Sequence, residues 1–87
     1  MMFVILAYDI GERRVGKASK IAKKYLYPMQ RSLFHGYLTE KQLHQLKNEL
    51  MLHLEPEKDA VIFYKIYNDN SVNIDEFGIV GSQDVFF

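Results

Sequence analysis

The sequence predicts an α+β domain: an antiparallel sheet with two helices on one face, in the order strand, helix, two strands, helix, strand, and one further strand at the C-terminus. Three observations carry this expectation. Two near-continuous apolar runs, residues 3–8 and 60–67, read as buried strands rich in β-branched and aromatic types. Two segments between them repeat apolar residues at helical spacing, and each runs into one of the two prolines. The chain has 87 residues and no Cys, which leaves room for one core and no disulfide to support it.

The elements follow in order. The first strand ends at Asp9, and Ile10-Gly11-Glu12 is a short loop. Residues 14–27 read as a helix, because Val15, Ala18, Ile21, Ala22, Tyr25 and Leu26 fall on one arc. Pro28 stops it. Residues 29–39 are extended, with Arg31-Ser32 as a tight turn and Gly36 as a bulge or a close backbone approach. Thr39-Glu40-Lys41-Gln42 spells a capping box, in which Thr39 caps and Gln42 reaches back. Leu43, Leu46, Leu50 and Leu54 mark the second helix, which ends near Pro56. Residues 55–59 are its exit loop, 60–67 a strand, 68–71 a polar turn, 72–80 a last strand and 81–87 a tail with two terminal Phe. The order βαββαβ is the ferredoxin-like arrangement. One domain spans residues 1–87, and its open sheet face calls for a cover. A second copy is the expected one, giving a homodimer in which residues 72–87 dock on the partner.

Hydrophobic residues make up 48% of the chain and charged ones 25%, as in a soluble globular protein. The longest apolar run, at the N-terminus, is far short of the roughly 20 residues that span a membrane. Without Cys or a targeting segment the expected compartment is the cytoplasm. A formal net charge of zero hides a lopsided distribution: residues 1–31 hold seven basic side chains against two acidic, and residues 32–87 four against nine. Arg13, Lys17, Lys20 and Lys24 recur at spacings of four, three and four, a single stripe opposite the apolar arc of the first helix. Such a stripe is either a solvated face or a phosphate-binding one.

Three constellations bear on chemistry. Gly11 to Ala18 nearly spells the phosphate-binding loop G-x-x-x-x-G-K-[ST], but Ala18 lacks the hydroxyl for magnesium and two helices cannot build the parallel sheet that motif needs. Asp9, after Tyr8 at the end of a buried strand, is placed either to hold a hard cation or to cap the next helix or turn. His35, His44 and His53 lack the i, i+4 spacing of a helical metal site. There is no Cys nucleophile and no Ser elbow. Tyr8, Phe34 and Tyr37 are the aromatic residues that would flank a nucleic-acid path.

Four segments in order, Tyr8-Asp9-Ile10, Arg13-Arg14 opening a Lys-rich helix, Gln30-Arg31-Ser32-Leu33-Phe34-x-Gly36, and Pro56-x-x-Asp59-x-Val61-x-x-Tyr64, resemble the CRISPR-associated protein 2 family. The resemblance runs from about residue 3 to residue 67. It implies a ferredoxin-like homodimer whose C-terminal strand joins the partner's sheet, with a divalent cation, magnesium or another such as manganese, held between the two copies of Asp9. It implies phosphodiesterase cleavage of RNA or DNA and assembly with the family's integrase subunit during spacer acquisition. Tyr8, Arg13, Arg31 and Phe34 match positions of the catalytic neighbourhood, and Arg13, Arg14, Arg31 and Ser32 would join the lysine stripe on the nucleic acid.

The implied mechanism is in-line attack by a water made more acidic by the cation, with Arg13, Arg14 or Arg31 offsetting the developing charge. Two rival readings use the same fold. In one the dimer is a non-catalytic scaffold for duplex DNA and only the basic stripe matters. In the other it is a small-ligand regulatory dimer, which would leave the basic stripe without a purpose.

Overall fold

The computed structural model describes residues 1–68 and 71–78. The elements are β1 (Met2–Asp9), α1 (Glu12–Lys23), β2 (Tyr27–Gln30), β3 (Leu33–Leu38), α2 (Glu40–Met51), β4 (Ala60–Ile66) and β5 (Val72–Gly78). They form one sheet in the order β2-β3-β1-β4-β5, antiparallel throughout. The first four strands have the ferredoxin-like order, with β1 central and each helix crossing over to a non-adjacent strand. No helix among the described residues is long and apolar enough to cross a membrane.

Alternation along the strands decides which face is covered. Val4, Leu6 and Tyr8 of β1, Phe34 and Leu38 of β3, and Val61 and Phe63 of β4 share one core with Ala18, Ile21 and Ala22 of α1 and Leu43, Leu46 and Leu50 of α2. Both helices therefore lie on the same face. The other side presents Phe3, Ile5, His35, Tyr37, Tyr64 and Ile74. Of these Tyr37 and Ile74 are more than half exposed, and Phe3 packs edge-on against both His35 and Tyr37.

Three boundaries differ from the sequence reading. The first helix spans Glu12–Lys23 rather than 14–27. Pro28 disfavours helix at the residue before it, and Tyr27 instead pairs with His35, so the chain leaves the helix early to form β2. The hairpin turns at Arg31-Ser32 as expected. Its irregularity falls between Pro28 and Gln30, where the register shifts. Gly36 serves close approach: a Cβ there would stand 3.0 Å from Leu26 Cδ2. The second helix starts one residue after Thr39, whose hydroxyl accepts from the Gln42 amide while Gln42 Oε1 accepts from the Thr39 amide. It ends at Met51, so His53 and Leu54 lie beyond it.

β5 pairs with β4 of its own chain, from Ile66 opposite Val72 to Ala60 opposite Gly78. Asp75 on β5 ion-pairs with Lys47 of α2 and Lys65 of β4, which ties this edge strand to the helix layer. Gly78 has φ +88°, and a Cβ there would sit 1.8 Å from the Asp59 carbonyl oxygen, so only glycine fits. The expected last two residues of this strand, the tail with Phe86-Phe87, and part of the 68–71 turn lie outside the described residues.

Candidate functional site

The alternation that buries Tyr8 under the helices turns Asp9 to the open face, where it is exposed opposite Ala60 of β4. Its carboxylate makes no hydrogen bond or ion pair to the described residues, and it is not a helix cap: the N-cap of α1 is Gly11, with no side-chain cap hydrogen bond. A hard, unpartnered oxygen donor thus stands at the end of the central strand.

The loop behind it is held by Asp59, a buried carboxylate that is 0% exposed. Asp59 Oδ1 accepts from the Gly11 amide at 3.0 Å and from Arg14 Nη2 at 2.8 Å. Its Oδ2 accepts from Arg14 Nε at 2.6 Å and from the Glu55 amide at 2.9 Å. The Arg14 hydrogen bonds and the two backbone amides hold the Asp59 carboxyl well below the usual carboxylate range, against the opposing effect of its burial. Arg14 Nη1 donates to Glu55 at 3.2 Å. All three guanidinium nitrogens of Arg14 therefore face carboxylates of its own chain, although the sequence placed this residue on nucleic acid. Asp59 enters the sequence reading only as part of the Pro56-x-x-Asp59 segment, and its role as the anchor of this loop was missed. The signal for it was an acidic residue set directly before the apolar run Ala60-Val61-Ile62-Phe63.

Tyr8, Asp9, Arg31, Ser32 and Phe34 meet around one cleft of about 650 Å³ between α1 and the β2–β3 hairpin. The Tyr8 and Phe34 rings stack at 5.9 Å between centroids. The Tyr8 amide donates to the Ser32 carbonyl at 3.1 Å, and Tyr8 Oη makes a long contact of 3.4 Å to the Arg31 carbonyl. Burial pushes the Tyr8 phenol up, partly offset by a hydrogen bond with Ser19. Arg31 and Ser32 are exposed on the turn. Gly16, Ser19, Lys23 and Gln30 also line the cleft; the sequence reading gave none of them a site role, although Gly16 lies in the near phosphate-binding loop and Gln30 opens the Gln30-Arg31-Ser32 segment. Arg13 and Arg14 are not part of its wall.

Of the basic stripe, Arg13, Lys17 and Lys20 are exposed and form no ion pair among the described residues. Lys24 instead ion-pairs with Glu49 of α2, to which the Tyr25 hydroxyl also donates. Its charge is committed to the contact between helices.

Fold and site together define a ferredoxin-like α+β domain whose central strand ends in a carboxylate unpaired among the described residues, followed in the chain by a basic helix. The chain belongs to the family described as CRISPR associated protein Cas2, whose model matches residues 2–74. It is 35% identical over 85 residues to a CRISPR-associated endoribonuclease Cas2 of Thermotoga maritima, covering 98% of both chains. It is 44% identical over 68 residues to one of Thermodesulfovibrio yellowstonii, covering 78% of this chain and 77% of that one. Among solved structures it resembles the hypothetical protein TT1823 from Thermus thermophilus, at 29% identity and a TM-score of 0.72 over 77% of this chain and 83% of that one. It also resembles a structure of Cas2 at 33% identity and a TM-score of 0.64, over 93% of this chain and 80% of that one.

Proposed function

We propose that this protein is a metal-dependent endonuclease of a CRISPR system, acting in the cytoplasm as a homodimer that cleaves RNA or DNA and takes part with an integrase subunit in the integration of new spacers. The observation that carries this reading is the Asp9 carboxylate at the end of the central strand, exposed on the open sheet face and without a partner among the described residues. The names of the curated relatives support the nuclease part of it.

The donor set fits magnesium or manganese in one arrangement. No cluster of three or more His, Cys, Asp or Glu side chains occurs among the described residues, so one chain does not cage a cation. Magnesium takes one or two carboxylates and fills its remaining positions with water and phosphate oxygens, which Asp9 of two copies facing each other would supply. The cation, when bound, supplies a more acidic water and neutralises phosphate charge. The chain's own groups do the rest. Asp9 would hold the cation, and Asp59 with Arg14 sets the loop that follows it. Arg31 and Arg13 offset negative charge on the phosphate. Phe34 packs behind Tyr8, and Tyr8 braces the turn that presents Arg31 and Ser32. β5 lies along β4 of the same chain here; exchange of this strand between copies would dock residues 72–87 on the partner without new chemistry.

Asp9→Asn keeps the shape and removes the charge that holds a cation. It should abolish magnesium-dependent cleavage of single-stranded RNA and of duplex DNA by a dimer that is still folded. Unchanged cleavage by the purified variant would remove Asp9 from catalysis. A second reading, a non-catalytic scaffold for duplex DNA, is favoured by one observation: Lys17 and Lys20 lie on the helix layer, across the sheet from Asp9. It predicts full duplex binding and no cleavage in the wild type.

A further inference from the structure

β1 is the middle strand of the sheet order β2-β3-β1-β4-β5. A two-fold axis along β1, midway between two copies whose open faces meet, therefore lays β4 on the partner's β3 and β5 on the partner's β2. It keeps the rows of the two sheets in step and sets Asp9 opposite Asp9. An axis across the strands at the Asp9 end would leave most of the open face uncovered, and an axis normal to the sheet would cover none of it. The row through Ile5 runs to His35 and Tyr27 on one side and to Tyr64 and Ile74 on the other. With the axis along β1, Tyr27 falls on the partner's Ile74 and His35 on the partner's Tyr64. Tyr27 is 72% exposed and Ile74 54% within one chain, so this axis covers an apolar residue at each edge of the sheet.

The next row toward Asp9 carries a charge. It runs through Ala7 to Leu33 and Gln30 on one side and to Ile62 and Glu76 on the other. β5 turns Asp75 to the helix layer, where it meets Lys47 of α2, so Glu76 shares the open face with Ile74. Glu76 is exposed and forms no ion pair among the described residues, and the same holds for Arg31, which follows Gln30. A carboxylate closed into an apolar interface is costly unless a cation meets it. We infer that Glu76 pairs with Arg31 of the partner subunit, so that each copy holds an arginine of the other's site toward Asp9. The inference rests on the homodimer reading above and adds the residue through which one copy completes the other. Stacked sheets lie about 10 Å apart, a gap that the two long side chains span by reaching from opposite sides. The contact occurs twice about the axis. Glu76 acts through Arg31 and touches no phosphate, which makes it a positioning residue.

The test begins without metal or nucleic acid, by light scattering and native mass spectrometry in EDTA. Arg31→Glu and Glu76→Arg each set like charges against each other at both contacts. Both positions are exposed in the single chain, so circular dichroism should stay at wild type. Each variant should raise the dimer dissociation constant by about a hundredfold or more. Mixed in equal amounts, the two should associate as a heterodimer, because every altered position then faces an opposite charge. Variants that dimerise like the wild type, or a mixture that associates no better than either variant alone, overturn the inference. The second result is also the one expected if β5 were exchanged and the two residues met within one chain. A monomeric wild type overturns the inference together with the homodimer reading. A kinetic measurement then separates positioning from assembly. At concentrations where Glu76→Gln is dimeric, its kcat for magnesium-dependent cleavage of single-stranded RNA should fall by about tenfold to a hundredfold with KM little changed. A wild-type kcat confines Glu76 to assembly and overturns its positioning role. A wild type that does not cleave overturns the nuclease reading alone, since the association measurements stand without it.

Discussion

Asp59 and Arg14 show how one buried pair governs the position of a residue it does not touch. Asp59 holds the Gly11 amide and adjoins Ala60, the register partner of Asp9, so the pair fixes both strands at the carboxylate that would meet metal. The Asp59 carboxyl lies below its ordinary value of 3.8 in the folded chain, chiefly through Arg14. A lowered folded-state value gives stability that is complete above the unfolded pKa and is lost as pH falls through the folded one. The wild type should therefore lose stability as pH drops below about 4, and Asp59→Asn should remove that part of the slope in urea titrations run from neutral pH downward. Arg14→Gln should lower the urea midpoint several times more than Arg13→Gln, since it leaves a buried carboxylate without its cation. The exposed Arg13 should stay within about 0.5 kcal/mol.

Among the elements, α1 presents two different flanks. One flank, with Gly16, Ser19 and Lys23, faces the cleft; the other presents Arg13, Lys17 and Lys20 to solvent. Replacing two of these three with Gln should weaken duplex binding whatever the sequence. It should also flatten the salt dependence by a slope of about 0.9 for each phosphate that is no longer neutralised. Lys24→Gln should leave that slope unchanged, because its charge already meets Glu49. Equal slopes for both sets of variants would reduce the stripe to a solvated face. At the sheet edge, Gly78→Ala should cost at least about 2 kcal/mol in urea unfolding, since neither the backbone angle nor the Asp59 carbonyl tolerates a side chain there.

For the whole molecule, the proposed homodimer turns on the open sheet face. A chain of 10.2 kDa with Phe3, Ile5, Tyr64 and Ile74 on an uncovered face should have twice that mass by light scattering at micromolar concentration. Ile5→Lys places a charge in the middle of that face. It should yield a folded monomer that has lost divalent-dependent cleavage, because each chain alone offers one carboxylate. A monomeric wild type that still cleaves would separate the metal site from the dimer.

Periodicity made the element order legible. Apolar runs announce β1 and β4, helical spacing announces α1 and α2, and Thr39 with Gln42 marks the start of α2 to the residue, because each of these signals is local. Asp9 was legible for the same reason, as a carboxylate that ends an apolar strand. The early end of α1 was not, since the pairing of Tyr27 with His35 outweighs the local preference of residues 24–27. Arg14 and Lys24 look like members of one basic surface in the sequence. Only the fold brings Asp59 and Glu49, 45 and 25 positions away, against them and turns two apparent ligands into internal ties. Spacing along a helix settles which side chains share a face. The surroundings of that face depend on segments distant in sequence, and this is why the open cleft beside Gly16 emerged only once α1 was packed over the β2–β3 hairpin.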